Sequence, residues 1–114
     1  MHVWEPKSMR DTFDVAPFAI PLSSAYRPAA QTVLRGDVWE RETVELLRAH
    51  GARDVVHAGT YFGDFLPGMS AAMKPGRTIY TFEPNAENFA CAEWTIVLNG
   101  LGNVVLRHAA LGDA

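Results

Sequence analysis

The chain has 114 residues, of which 48% are hydrophobic and 20% charged, and its formal net charge is −3. This length allows one domain with a packed core, and the weak charge does not indicate nucleic acid or an anionic membrane as a partner. No apolar run approaches the roughly 20 residues that span a bilayer, no signal peptide is evident, and the single cysteine excludes an internal disulfide, so a cytoplasmic protein is predicted.

The first 35 residues predict an extended arm. They contain four of the seven prolines in the chain. Proline removes a backbone donor and restrains the residue before it, so long helices are not expected here. The same segment carries apolar side chains that argue against a disordered tail, namely Trp4, Phe13, Phe18, Ile20 and Tyr26. We therefore expect an arm that packs on another part of the protein, with short strands.

Regular structure is predicted to begin with a helix from about Val38 to His50. Asp37 is a candidate N-cap, and Glu40 stands three residues later, as in a capping box. Gly51 can end the helix in a left-handed conformation.

Strands and helices then alternate. The predicted elements are a strand over 54–57, a helix that either begins between Asp64 and Pro67 or is kinked there, a strand over 78–82, a helix from a cap at Asn85 to a stop at Gly100, and a strand over 104–107. The second of these helices is expected to bury one face made of Phe89, Ala92, Ile96 and Val97. Short connections and apolar strands indicate parallel pairing in the order 3-2-1, which is one half of a doubly wound, Rossmann-like α/β fold.

A glycine-containing loop follows the first strand, at the end of the sheet where such folds bind ligands. Gly59 would let the backbone turn and approach a ligand, and Gly63 would let the next helix lie close to the strand. Exposed amide groups at the start of that helix would suit a polar or anionic group. The alternative is a tight strand-to-helix turn without a ligand.

An acidic residue, Glu83, ends the second strand twenty residues after Gly63. In that place a carboxylate can accept hydrogen bonds from both hydroxyls of a ribose. Its alternative role is to cap the helix that begins near Asn85. Together with the glycine loop, Glu83 favours a nucleoside ligand. The third glycine of an NAD fingerprint is missing, which favours S-adenosylmethionine because that cofactor has no pyrophosphate.

Three stretches of the sequence resemble motifs of a known protein family, namely VLRGDVWERETVELLRAHGARDVVHAGTYFGDF, IYTFEPNAENF and WTIVLNGLGNVVLRHAALGD. They resemble the FkbM-like family of S-adenosylmethionine-dependent methyltransferases from about Val33 to Asp113. FEPNAENF and LNGLGNVVLRHAALGD are the more specific pieces, whereas many methyltransferases share the Gly-x-x-x-Gly loop. The family mostly methylates oxygen, often on sugars or natural products.

The resemblance implies S-adenosylmethionine as the cofactor and assigns residues to it. These are Ala58, Gly59, Thr60 and Gly63 along the methionine part, with His57 and Tyr61 in the same loop, Glu83 at the ribose, Pro84 and Asn85 beside the adenosine, and His108, Ala109 and Ala110 near the adenine. It implies no metal.

The loop departs from the family pattern Asp-x-Gly-Ala-Asn-x-Gly at three positions. His57 replaces the aspartate, and Thr60 and Tyr61 replace alanine and asparagine. A carboxylate would attract the ammonium and sulfonium charges of the cofactor, whereas a neutral imidazole does not do so equally. A ligand role for His57 and a hydrogen-bonded role at the end of the strand remain alternatives.

Only three of the seven strands expected for this class are found in the sequence. We therefore expect a truncated unit, with an arm over 1–35 and the cofactor-binding half of a methyltransferase over 36–114, and we assign no catalytic residue. The methyl acceptor would be a small molecule. The alternative function is a non-catalytic binding or assembly module. The first strand, with apolar Val55 and Val56, would be left without a second neighbour, so self-association or association with a missing C-terminal half is expected.

Overall fold

The computed structural model describes residues 2–4, 18–35, 41–50 and 52–112. Its elements in chain order are β1 (His2–Trp4), β2 (Phe18–Ile20), a 3-10 turn (Leu22–Ser24), α1 (Pro28–Leu34), α2 (Arg41–Ala49), β3 (Val55–Ala58), α3 (Leu66–Ala72), β4 (Ile79–Phe82), α4 (Ala86–Asn99) and β5 (Val104–Arg107). The predicted cap at Asp37, the capping partner Glu40 and the stop at Gly51 lie outside the described residues.

The main sheet is parallel, with the strand order β3-β4-β5. Val55 lies opposite Ile79, and Ile79 lies opposite Val104, so the three strands begin in register. The predicted order 3-2-1 and the α/β fold class are therefore confirmed. The physical basis is that each crossover contains a helix, which is the connection that parallel strands need.

The helices cover one face of this sheet. Leu66 and Met69 of α3 form a buried cluster with Ile79 of the central strand. On the other face, Val56 is 67% exposed and Tyr80 is 40% exposed. Because successive residues of a strand point to opposite faces, the described residues leave one apolar face of the sheet uncovered.

The two crossover helices begin where the sequence predicts. Helix α3 starts at Leu66 and has Pro67 in its first turn, where no intrahelical donor is needed. Asn85 caps α4, because its side-chain oxygen accepts a hydrogen bond from the Asn88 amide, and Gly100 follows the helix in a left-handed conformation.

The predicted inward face of α4 is wrong at one position, since Val97 is 69% exposed. Cys91, Ala92 and Thr95 are the buried residues of the helix. Residue 97 lies about 100° around the helix from residue 96, which carries its side chain away from the sheet.

The N-terminal segment forms part of the core. Strand β2 pairs antiparallel with β1, and short strands were expected in the arm, but helix α1 was not. Phe18, Ile20 and Val33 are buried in one cluster with Phe62 of the glycine loop and Cys91 of α4. No helix in the described ranges has the length and apolar character needed to cross a membrane.

Candidate functional site

The loop between β3 and α3 contains three residues in the left-handed region of backbone space. Gly59 has φ 73° and Gly63 has φ 85°, which glycine adopts without steric conflict. Tyr61 has φ 59°, which is unfavourable for a bulky side chain by about 1–2 kcal/mol. A Cβ at Gly59 would meet no atom within 4 Å, whereas a Cβ at Gly63 would lie 3.3 Å from Leu66 Cδ1. Gly63 thus permits close packing, and Gly59 borders open space.

Most amide groups of this loop are already used inside the protein. The amides of Gly59 and Thr60 both donate to the Phe82 carbonyl at 2.9 Å, and the Gly63 amide donates to the Thr60 carbonyl at 2.9 Å. The Tyr61 amide donates to Glu83. The amides at these four positions are therefore already paired, with the segment at the end of β4 or within the loop itself.

Glu83 lies at the carboxyl end of β4 and is 6% exposed. Its Oε1 accepts from the Tyr61 amide at 2.7 Å, and its Oε2 accepts from the Asn85 amide at 3.0 Å. A carboxylate offers about four lone-pair positions, so each oxygen keeps one for a further donor. The two amides hold the group in a single orientation between the glycine loop and the start of α4.

His57 lies on the helix-covered side of the sheet. The Thr81 hydroxyl donates to the His57 carbonyl at 3.0 Å, so its oxygen is an acceptor for Nδ1, which lies 3.2 Å away. The imidazole meets the Phe65 ring edge to face at a centroid distance of 5.7 Å. Burial lowers the pKa of the His57 imidazole below its ordinary value. These contacts favour a neutral, hydrogen-bonded residue at the end of the strand.

Pro84, which was assigned to the adenosine, and His108, which was assigned to the adenine, are in direct contact with each other. His108 Nε2 lies 3.0 Å from the Pro84 carbonyl oxygen, and the His108 ring stacks on Phe89 at 4.7 Å between centroids. Pro84, His108 and Ala109 are exposed. An adenine could enter between Pro84 and His108 only if the His108 side chain moved.

Two neighbouring cavities flank the glycine loop and share Arg27 and Tyr61 in their walls. The first, of about 440 Å³, contains Glu83; the second, of about 320 Å³, contains Gly59. The remaining residues that line the first are Ser23, Ser24, Asn85, Glu87 and Asn88, and those that line the second are Pro28, Ala29, Asp64 and Phe65.

Residues from the N-terminal arm therefore contribute to the site, which sequence reasoning did not foresee. Ser23 Oγ lies 3.1 Å from both carboxylate oxygens of Glu87 and joins the 3-10 turn to α4. The Arg27 amide donates to the Ser24 carbonyl at 3.0 Å, which fixes the residue before α1. The prolines of the arm constrain only the local backbone conformation, so they do not predict which distant loop the arm contacts.

Two buried polar atoms near the loop have no hydrogen-bond partner among the described residues, namely Thr60 Oγ1 and Tyr61 Oη.

Burial raises the pKa of the Cys91 thiol, so this side chain is a poor nucleophile. In the part of the chain that the structure describes, no cluster of three or more His, Cys, Asp or Glu side chains could hold a metal ion.

The sequence matches no protein-family model and no curated protein. Its fold, however, matches solved structures. TYW2 of M. jannaschii, solved in complex with AdoMet, matches over 96% of this chain and 46% of its own length at 17% identity, with a TM-score of 0.61.

Two further matches have the same character. A methyltransferase of Geobacter sulfurreducens matches over 90% of this chain and 52% of its own length, at 19% identity and a TM-score of 0.59. A proposed O-methyltransferase of Klebsiella pneumoniae matches over 62% and 34%, at 24% identity and a TM-score of 0.55. The chain thus spans 34% to 52% of the length of these structures. The likeness establishes that the chain has the Rossmann-like α/β fold of these methyltransferases.

Proposed function

We propose that this chain forms the cofactor-binding half of an S-adenosylmethionine-dependent methyltransferase that resembles the FkbM-like family. The observation that carries the proposal is the setting of Glu83. Its carboxylate is fixed at the end of the central strand by two backbone amides, keeps free lone pairs and lines a cavity of about 440 Å³. One structure that shares the fold is a complex with AdoMet, which supports the choice of ligand.

The residues present fit such a cofactor. Glu83 would accept hydrogen bonds from the ribose hydroxyls, and the methionine part would extend past Tyr61 toward Gly59 in the second cavity. The two cavities, of about 440 and 320 Å³, lie within the range that holds small ligands. Adenine contacts from Asn85 and His108 would follow a rotation of the His108 ring.

The cofactor supplies a methyl group bound to a sulfonium, which makes the group transferable. In the reaction proposed here, the methyl group would pass to an acceptor oxygen, S-adenosylhomocysteine would be the leaving thioether, and the acceptor proton would pass to solvent. The acceptor is proposed to be a small molecule or a sugar. The role of this chain would be to bind and orient the cofactor, because correct placement of the reacting groups accounts for much of the rate of such transfers.

We further propose the division of the chain into an arm over 1–35 and a cofactor-binding half over 36–114. The uncovered face of the sheet favours a second candidate function, a binding or assembly module without catalysis. Val56 and Tyr80 are the apolar residues that such a module would present. The two functions differ in whether the chain binds the cofactor.

Isothermal titration calorimetry with S-adenosylhomocysteine, the demethylated product, tests the proposal on the 114-residue chain. We expect binding, and we expect the Kd to rise roughly 10- to 100-fold in Glu83→Gln, because a charge-assisted hydrogen bond contributes roughly 1.5–3 kcal/mol. Glu93→Gln, an exposed change on α4, should leave the Kd unchanged.

Since Glu83 also holds the loop, the thermal midpoint of each variant is measured in parallel. Glu83→Asp, which keeps the charge, should bind with intermediate affinity. An absence of binding to the unaltered chain, or an unchanged Kd in a folded Glu83→Gln chain, would contradict the proposal.

A further inference from the structure

One cationic side chain of the arm lies in the wall that the two cavities share. Arg27 lines both of them, and it is the one positively charged side chain among the described residues that line either. The acidic residues in the same walls are Glu83 and Glu87 in the first cavity and Asp64 in the second. The combined site is therefore acidic apart from one point, at which an anionic group would be favoured.

Arg27 is held at this point by contacts on both sides. Its carbonyl accepts from the Gln31 amide at 2.9 Å at the start of α1, and its amide donates to the Ser24 carbonyl. The guanidinium carbon lies 5.6 Å from the centre of the Tyr26 ring. Gln31 Nε2 donates to the Ala25 carbonyl at 2.6 Å and closes the turn. The backbone at Arg27 is thus fixed, while its exposed side chain keeps donors for a ligand.

The core ties this turn to the glycine loop. Thr95 of α4 accepts from the Ala19 amide at 3.2 Å and donates to the Phe62 carbonyl at 3.1 Å, so one buried hydroxyl joins β2 and the loop. Phe18 meets Phe62 edge to face at 6.2 Å between ring centroids. The segment that carries Arg27 is therefore anchored to the glycine loop by buried contacts at β2.

We propose that Arg27 binds the carboxylate at the amino-acid end of the cofactor, an inference that rests on the proposed function. With the ribose on Glu83 in the first cavity, the amino-acid end passes Tyr61 into the second cavity and comes alongside Arg27. A guanidinium presents planar paired donors that match a carboxylate. The arm is then part of the cofactor site, and Arg27 determines preference for ligands that carry the amino-acid group.

A pair of ligands isolates this contact. S-adenosylhomocysteine carries the amino-acid carboxylate, and 5′-methylthioadenosine has the same nucleoside without it. In calorimetry on the 114-residue chain, we expect Arg27→Gln to raise the Kd for S-adenosylhomocysteine about tenfold and to change the Kd for 5′-methylthioadenosine less than about twofold. Arg27→Lys should lie between the two, because it keeps the charge and loses the paired geometry.

Arg35→Gln is the matched control, since Arg35 is exposed, lies at the other end of α1 and donates a hydrogen bond to the Thr32 hydroxyl. It should leave both constants unchanged. If Arg27→Gln weakens both ligands equally, or neither, the contact is refuted while the cofactor site stands. If the unaltered chain binds neither ligand, the proposed function is refuted and this inference falls with it.

Discussion

The hydroxyl of Thr95 is the point at which the arm, the glycine loop and α4 are joined, and its removal tests whether the arm belongs to the core. Thr95 is fully buried, as are Ala19 and Phe62, whose backbone groups it bonds. Thr95→Val keeps nearly the same shape but leaves one buried donor and one buried acceptor without partners. Each such group destabilises by roughly 1–3 kcal/mol, so we expect the free energy of unfolding to fall by about 2–6 kcal/mol.

That loss is a large fraction of the ~5–15 kcal/mol typical of a domain, so it is measurable. Urea unfolding followed by tryptophan fluorescence at a fixed protein concentration provides the comparison. Thr32→Val is the control, because Thr32 is partly exposed and its hydroxyl accepts a long hydrogen bond, of 3.4 Å, from Arg35 Nη2. We expect less than ~0.5 kcal/mol from the control. A Thr95→Val chain as stable as the control would show that the arm is not anchored in this way.

Three further results are expected. Gly63→Ala should lower the free energy of unfolding by about 2–4 kcal/mol in urea titrations, because φ is 85° and the new Cβ would lie 3.3 Å from a side-chain carbon. Gly76→Ala, at φ 82° in open space, should lower this free energy by only ~1–2 kcal/mol. Equal losses in the two variants would contradict close packing at Gly63. Because burial lowers the pKa of His57, the unfolded state binds its proton more tightly, so the contribution of His57 to the free energy of unfolding is greatest above about pH 6.5 and is lost as the pH drops toward the folded-state pKa. His57→Asn should reduce the difference in this free energy between about pH 7.5 and about pH 5.5, and an unchanged difference would show that His57 does not titrate on unfolding. Finally, the 114-residue chain should self-associate through the sheet face that exposes Val56 and Tyr80. Val56→Lys should shift the chain toward monomer in size-exclusion chromatography with light scattering, and an unaltered chain that is monomeric at micromolar concentration would contradict this prediction.

The order of elements was predictable from the sequence because its signals are local. Pro67 can stand only in the first turn of α3, and Asn85 bonds an amide three residues away in α4. Apolar strands that alternate with helices are typical of a parallel sheet, because each helix forms the crossover between two parallel strands. The position of Glu83 at the end of the central strand follows from the same pattern.

Local sequence patterns were thus sufficient to predict the α/β class, the strand order and two of the segments that line the candidate site, namely the glycine loop and the segment at Glu83. Three further facts required the tertiary structure: Arg27 lines the same cavity as Gly59, His57 lies within hydrogen-bond distance of the Thr81 hydroxyl, and Val97 faces outward. The physical reason is that these facts depend on contacts between segments far apart in the chain. Ala19 and Thr95 are 76 residues apart, and no periodicity or spacing within either segment specifies that their polar groups will meet.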